Sequence, residues 1–194
     1  MGNREDLLAG ARKAIMERGV AKTTARDIAN AAGVSLAAIG YHFGSKDRLI
    51  TEALAEALGT GIGDSMAELI EETEGRPMPE AFASMIDGLP AVFAANREGM
   101  LASMENLLRV ARSPESQRYM ADSIRHATTD LATNLRATHP RLTQQQAEAI
   151  AGLYFALTQG FSVLWMISAE GALPNGDTLS TAFAALAGSP ETTG

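Results

Sequence analysis

Residues 23–43 read TTARDIANAAGVSLAAIGYHF, and their spacing decides the fold. Thr24-Ala-Arg-Asp27 has the form of a capping box, with Asp27 in the place of the usual Glu, so a helix opens there. Ile28, Ala29 and Ala32 recur on one face of that helix, and Gly33 stops it. Gly33-Val34-Ser35 is a turn of the length that joins the two helices of a helix-turn-helix. Glycine at position 33 supplies the left-handed conformation so tight a reversal needs. Ile28, Val34, Ile39 and Phe43 are spaced to pin the two helices together. Ser35 opens the second helix and presents its N-terminal half outward, the half that a recognition helix lays in a DNA major groove.

Outward from this stretch, nearly everything reads as helix. A leading helix over about 4–18 carries Leu7, Leu8, Ala11, Ala14 and Ile15 on one stripe and ends at Gly19. Ser45 opens a fourth helix with Leu49, Ile50, Ala53, Leu54 and Leu58. Gly59, Gly61 and Gly63 each weaken it by about 1 kcal/mol relative to Ala, which predicts a bend or hinge before it resumes to about Glu72. Gly75–Pro79 is a loop. Helices are expected at roughly 80–95, 98–112, 115–137, 144–170 and 178–187, with Pro90 a kink candidate. Ser113-Pro114 and Thr143 are start signals, and His139-Pro140 and 171–176 are breaks. The tail, SPETTG, reads as disordered. The fold expected is all-α: an N-terminal three-helix helix-turn-helix domain over 1–50, then a helical ligand-binding and dimerisation domain over 51–194.

The chain has 194 residues and a net charge of −7, unevenly placed. Through Thr51 eight basic residues face five acidic ones, a net of +3; beyond it eight face eighteen, a net of −10. A basic head on an acidic body suits a local DNA contact. There are no cysteines, which excludes disulfides, zinc-thiolate sites and a cysteine nucleophile. The charged N-terminus, MGNREDLLAG, lacks the apolar core of a secretion signal, and a cytoplasmic location is expected. His42, His126 and His139 show no metal-ligand spacing, and no Ser-His-Asp pattern or phosphate-binding glycine loop is present, so no metal or cofactor is expected. The stretch from Ala149 to Ala169 is uncharged and long enough to span a membrane. Thr158, Gln159, Ser162 and Ser168 dilute it, and Glu148 and Glu170 flank it where basic anchors belong, so it reads as a helix buried on more than one side, not as a membrane segment.

From its leading helix through TTARDIANAAGVS to YHFGSKDRLI, the first fifty or so residues resemble the DNA-binding domain of the tetracycline-repressor (TetR) family of bacterial regulators. The aromatic helix end followed by Gly-Ser-Lys and an acidic residue carries most of that resemblance. It implies a homodimer that binds a partly palindromic operator in duplex DNA and, in the usual case, is released by a small molecule. Two alternatives stay open on the residues alone: a ligand-independent DNA-binding or protein-interaction module, and an all-helical enzyme.

Thr23 and Thr24, at a helix N-terminus, are candidates for a backbone phosphate, and Lys46 for another. Tyr41 and His42 can each donate to a phosphate or a base edge, or one of them packs inward. Leu36, Ala37 and Ala38, outward behind Ser35, offer only apolar readout, for example against thymine methyl groups. The family commonly has an aromatic after Ile39, and this chain has Gly40, which removes one contact and leaves specificity to Tyr41, His42, a flanking base such as Arg26, and DNA shape. Seven of the nine methionines lie beyond residue 60, and methionine suits variable apolar guests. An effector pocket is therefore expected from Phe82, Met85, Met100, Met104, Leu108, Met120, Ile124, Phe161 and Trp165. Gly152, Ala156 and Gly160 recur at spacing four and let a second helix approach. With Leu153, Leu157 and Leu164, and with Leu179, Phe183 and Leu186 of the last helix, they are assigned to the dimer interface; periodicity alone leaves the reverse assignment of the two faces open.

Overall fold

A computed structural model describes residues 3–168 and 173–188. Among them the chain forms nine helices and no strand: α1 (Asn3–Arg18), α2 (Ala25–Ala32), α3 (Leu36–Phe43), α4 (Lys46–Glu71), α5 (Met78–Ala95), α6 (Arg97–Arg112), α7 (Pro114–Thr138), α8 (Gln144–Ile167) and α9 (Gly176–Ala187). The all-α expectation holds. The expected end of the eighth helix at 169–170 and the tail lie outside the described residues. The chain divides into two compact units, one of residues 1–63 with 96–127, the other of residues 64–95 with 128–194.

The first unit is built on α1 crossing α2. A Cβ at Gly10 would stand 2.7 Å from the Ala32 nitrogen and 2.9 Å from the Ile28 carbonyl oxygen, so a hydrogen atom is all the crossing admits. Around it Leu7, Leu8, Ile15, Val20, Ile28, Ile39, Phe43, Leu49 and Ile50 make one buried cluster, against which Val34 packs. The α2 cap is the capping box read from the sequence. At its other end Gly33 takes φ 66°, and the Gly33 and Val34 amides donate to Asn30 and Ala29 carbonyls, a closure that terminates the helix and turns the chain.

Polar contacts tie α6 to this cluster. Glu105 Oε2 accepts from the Val20 amide at 3.1 Å, Asn106 Nδ2 donates to Thr51 Oγ1 at 3.0 Å, and Arg109 reaches Asp47 at 3.2 Å. A second network runs through the buried carboxylate of Glu52. Arg4 and Arg48 both bond it at 2.7 Å, and Arg48 continues to Glu115 of α7 at 2.6 Å. The Arg4 guanidinium also lies over the Phe43 ring, 5.3 Å from its centroid.

The glycines at 59, 61 and 63 do not interrupt α4, which runs from Lys46 to Glu71, and the division between the two units falls at Gly63. Packing overrides the weak propensity. A Cβ at Gly61 would lie 2.4 Å from Asn96 Oδ1, so this glycine makes room for a neighbour. Pro90 likewise sits inside α5 without ending it.

In the second unit, α5 packs with α8 and α9. Met85, Ile86, Leu89, Phe93, Leu135, Ala151 and Tyr154 are buried there. The start of α9 lies on the α5 backbone: a Cβ at Gly176 would be 2.2 Å from the Ala83 carbonyl oxygen, and the Gly176 amide donates to Asp87 at 2.8 Å. His139 is a structural residue. Its Nε2 is 2.9 Å from Thr73 Oγ1, whose own hydrogen goes to the Ile70 carbonyl, so the histidine is the donor. The 24-residue α8, with mean hydropathy 1.5 over its most apolar window, is long and apolar enough to cross a membrane by composition.

Candidate nucleic-acid interface

The surface that would meet DNA is α3 with the ends of α2 and α4. Tyr41 is 85% exposed, which removes it from the core and leaves its hydroxyl open to a partner. His42 is half-buried, with its ring edge against Tyr41 at 4.9 Å between centroids. Leu36 is 51% exposed, and Ala37 and Gly40 are exposed beside it. Ser35 has the extended backbone of an N-cap but its hydroxyl makes no capping bond. Arg26 stands exposed on α2. Lys46 Nζ donates to the Thr23 carbonyl at 3.0 Å, which fixes its charge beside the N-terminal end of α2.

Two of the expected contact residues are placed differently. Thr23 is 1% exposed, and its hydroxyl is 2.8 Å from the Gly19 carbonyl and 3.2 Å from that of Ala14. It fastens α2 to the end of α1 and has no side chain left for a phosphate. Ala38 is 8% exposed and belongs to the core cluster, because α3 turns it in beside Ile39. Thr24 is exposed, but its hydroxyl is held by Asp27, donating to Oδ2 at 2.6 Å and accepting from the Asp27 amide at 3.2 Å. Those bonds from the Thr24 hydroxyl and amide, with Arg18 nearby, hold the Asp27 carboxyl below its usual 3.8. A carboxylate therefore already sits at the tip of α2.

The residues expected to line an effector pocket fall into both units. Met100, Met104 and Leu108 on α6 and Met120 and Ile124 on α7 belong to the first; Phe82 and Met85 on α5 and Phe161 and Trp165 on α8 belong to the second. Leu108 departs from expectation. It is 64% exposed, because α6 turns Met100, Ala102, Asn106 and Val110 inward instead. Ile124 is also exposed. Within the second unit Met85 and Phe161 are buried, Phe82 stacks on Tyr154 at 5.8 Å, and Trp165 lies 6.0 Å from Phe93, a neighbour the sequence reading did not select. Tyr154 has its phenol pushed up to about 12 by burial.

The residues assigned to a dimer interface share one property. Gly152, Leu153, Ala156, Gly160 and Leu164 are exposed on α8, with Leu157 partly so. On α9 Leu186 is exposed, Leu179 is half-buried, and Phe183 turns its edge to Phe82 at 5.1 Å. Exposed Val163 and Ile167 extend the α8 face and were not singled out from the sequence.

A family model described as bacterial regulatory proteins of the tetR family matches residues 7–53, which span α1 to the start of α4. The chain is 28% identical over 159 residues to the HTH-type transcriptional regulator BetI of Rhizobium meliloti (strain 1021), covering 78% of this chain and 75% of that protein. A 53-residue stretch is 43% identical to the HTH-type transcriptional repressor KstR2 of Rhodococcus jostii (strain RHA1), 27% of this chain and 26% of that one. The fold is similar to the solved structure of the multidrug binding protein EbrR complexed with imidazole, with a TM-score of 0.62, 19% identity and 98% of both chains covered. The sequence relatives are transcriptional regulators, which sets the enzyme alternative aside. Helix-turn-helix geometry, the family match across residues 7–53 and the regulators among its relatives together identify the chain as a DNA-binding transcriptional regulator whose helix-turn-helix is similar to that of the tetR family.

Proposed function

We propose that this regulator is a cytoplasmic homodimeric repressor whose two recognition helices read inverted half-sites of a palindromic operator, and that a small apolar or amphipathic molecule releases it. Residues 1–50 serve DNA and residues 51–194 serve effector and partner. The observation that carries the reading is the bare face of α8. Gly152, Leu153, Ala156, Gly160 and Leu164 are exposed, and among the described residues a Cβ added at Gly152 or Gly160 would meet nothing within 4 Å. An exposed apolar stripe of this length suits a partner, and two copies of one face related by a two-fold axis would set two recognition helices on successive half-sites. This also answers the membrane-length composition of α8. For the effector, support comes from the likeness to EbrR, a multidrug binding protein holding imidazole, and from the aromatic and methionine side chains of α5 and α8. Release requires that the effector bind the DNA-incompetent state more tightly, and a coupling of roughly 1–3 kcal/mol is typical.

Sedimentation of the intact chain and of Ala156→Trp tests the assembly. The wild type is expected as a dimer that protects a two-fold-symmetric duplex, and the variant as a monomer that binds it weakly. A variant that stays dimeric places the interface on another face.

A further inference from the structure

We infer that the recognition helix selects its half-site by the 5-methyl groups of thymine, not by hydrogen bonds to purine edges; this rests on the operator-binding role proposed above. At 3.6 residues per turn, Leu36, Gly40, Ala37 and Tyr41 fall in that order within an arc of about 140°, and these are the exposed positions of α3 after its cap. The first three carry no hydrogen-bonding side-chain atom, and Tyr41 offers one phenol at the far edge of the arc. The side chains that pair bidentately with guanine or adenine, Arg, Lys, Asn and Gln, are absent from α3.

Two of the nearby cations are held by their own chain: Lys46 is fixed at the Thr23 carbonyl and Arg48 lies between Glu52 and Glu115. Arg26 is exposed, but on α2 and not on the recognition helix. Ser35, with its hydroxyl free of capping, sits at the helix tip. Gly40 sharpens the arrangement. A Cβ there would meet nothing within 4 Å, so the middle of the exposed arc is bare backbone beside Leu36 and Ala37, and the helix can approach the groove floor more closely than a side chain would allow. The thymine methyl is the one apolar group on the major-groove edge. An apolar arc can therefore register the methyl of thymine against its absence in cytosine.

The test uses the intact protein and a duplex selected from a random pool. Each thymine of the selected half-site is replaced in turn by deoxyuridine, which keeps base pairing and removes only the methyl. Affinity is expected to fall roughly fourfold per methyl removed at the positions facing α3, the equivalent of about 0.8 kcal/mol for one buried methyl. In Leu36→Ala, whose exposed site leaves folding intact by circular dichroism, at least one of those positions should lose its sensitivity to uracil. A selected duplex bound equally well with uracil throughout overturns the inference and leaves the regulator role standing, as does equal uracil sensitivity in Leu36→Ala at every position. Failure to select any duplex at all counts instead against operator binding.

Discussion

The helix-turn-helix of the first unit and the α8–α9 pair of the second treat apolar residues in opposite ways. In α2 and α3 the large aliphatic and aromatic side chains that set the crossing, Ile28, Ile39 and Phe43, are buried within the same chain. On α8 and α9, Leu153, Val163, Leu164, Ile167 and Leu186 are left exposed. The first region is closed by its own sequence; the second leaves an apolar face for the partner of the homodimer proposed above. Where a chain closes its own core, local signals suffice to build the element. Where it does not, the sequence shows only that a face is greasy and leaves open what covers it.

The sharpest way to break that comparison is to open the closed region. Phe43→Ala removes a buried ring from the core of the first unit and should cost about 3–5 kcal/mol, read as a lower denaturant midpoint and loss of operator binding. If the α8–α9 face is independent of that core, sedimentation should still show a dimer. A monomer would mean that the two regions are not separable.

A second expected effect concerns charge. Operator affinity should fall roughly 10³–10⁵-fold between about 50 and 200 mM salt if about six to ten phosphates are neutralised. Lys46→Ala should reduce the salt slope by about one unit for each phosphate that this lysine neutralises. A slope that does not change removes Lys46 from the interface and leaves it a tie between α4 and the Thr23 carbonyl.

The smallest effect is at the α2 cap. Thr24→Ala should cost about 1 kcal/mol, measured by thermal or denaturant unfolding. It also alters the acid limb. Because the Asp27 carboxyl titrates below 3.8 in the folded chain, its contribution is full above that value and is lost as pH falls through the lower folded value. Thr24→Ala should flatten that loss; an unchanged acid limb would show that the cap bonds do not set Asp27's titration.

The elements legible in the sequence are those specified by near neighbours. The Thr24–Asp27 box, Gly33 and the pinning residues Ile28, Ile39 and Phe43 lie within one stretch, and all are found as read. Thr23 misleads because its partners are carbonyls of the preceding helix, at Ala14 and Gly19, and no helical periodicity points there. Ala38 is misplaced because α3 is only eight residues long, too short for spacing to fix which flank turns in. On α6 the inward place falls to Asn106, bonded to Thr51, while Leu108 turns out, an inversion that polarity alone misses. Gly61 of α4 signals a close approach, which only its neighbour Asn96 reveals, whereas Gly59 and Gly63 have open space and α4 runs through them. The burial of Glu52 had a visible trace, since Arg48 stands one turn before it, but its second arginine, Arg4, comes from a distant helix.

Trp165 is the chain's single tryptophan, and it lies against Phe93 in the second unit. The protein thus carries a built-in optical label on one half of itself. Red-edge excitation reports the surroundings of α5 and α8, whereas melting of the helix-turn-helix alone is silent in emission and visible in ellipticity. Recorded together during one unfolding experiment, the two signals separate the fate of the DNA-reading half from that of its companion without any dye or engineered probe.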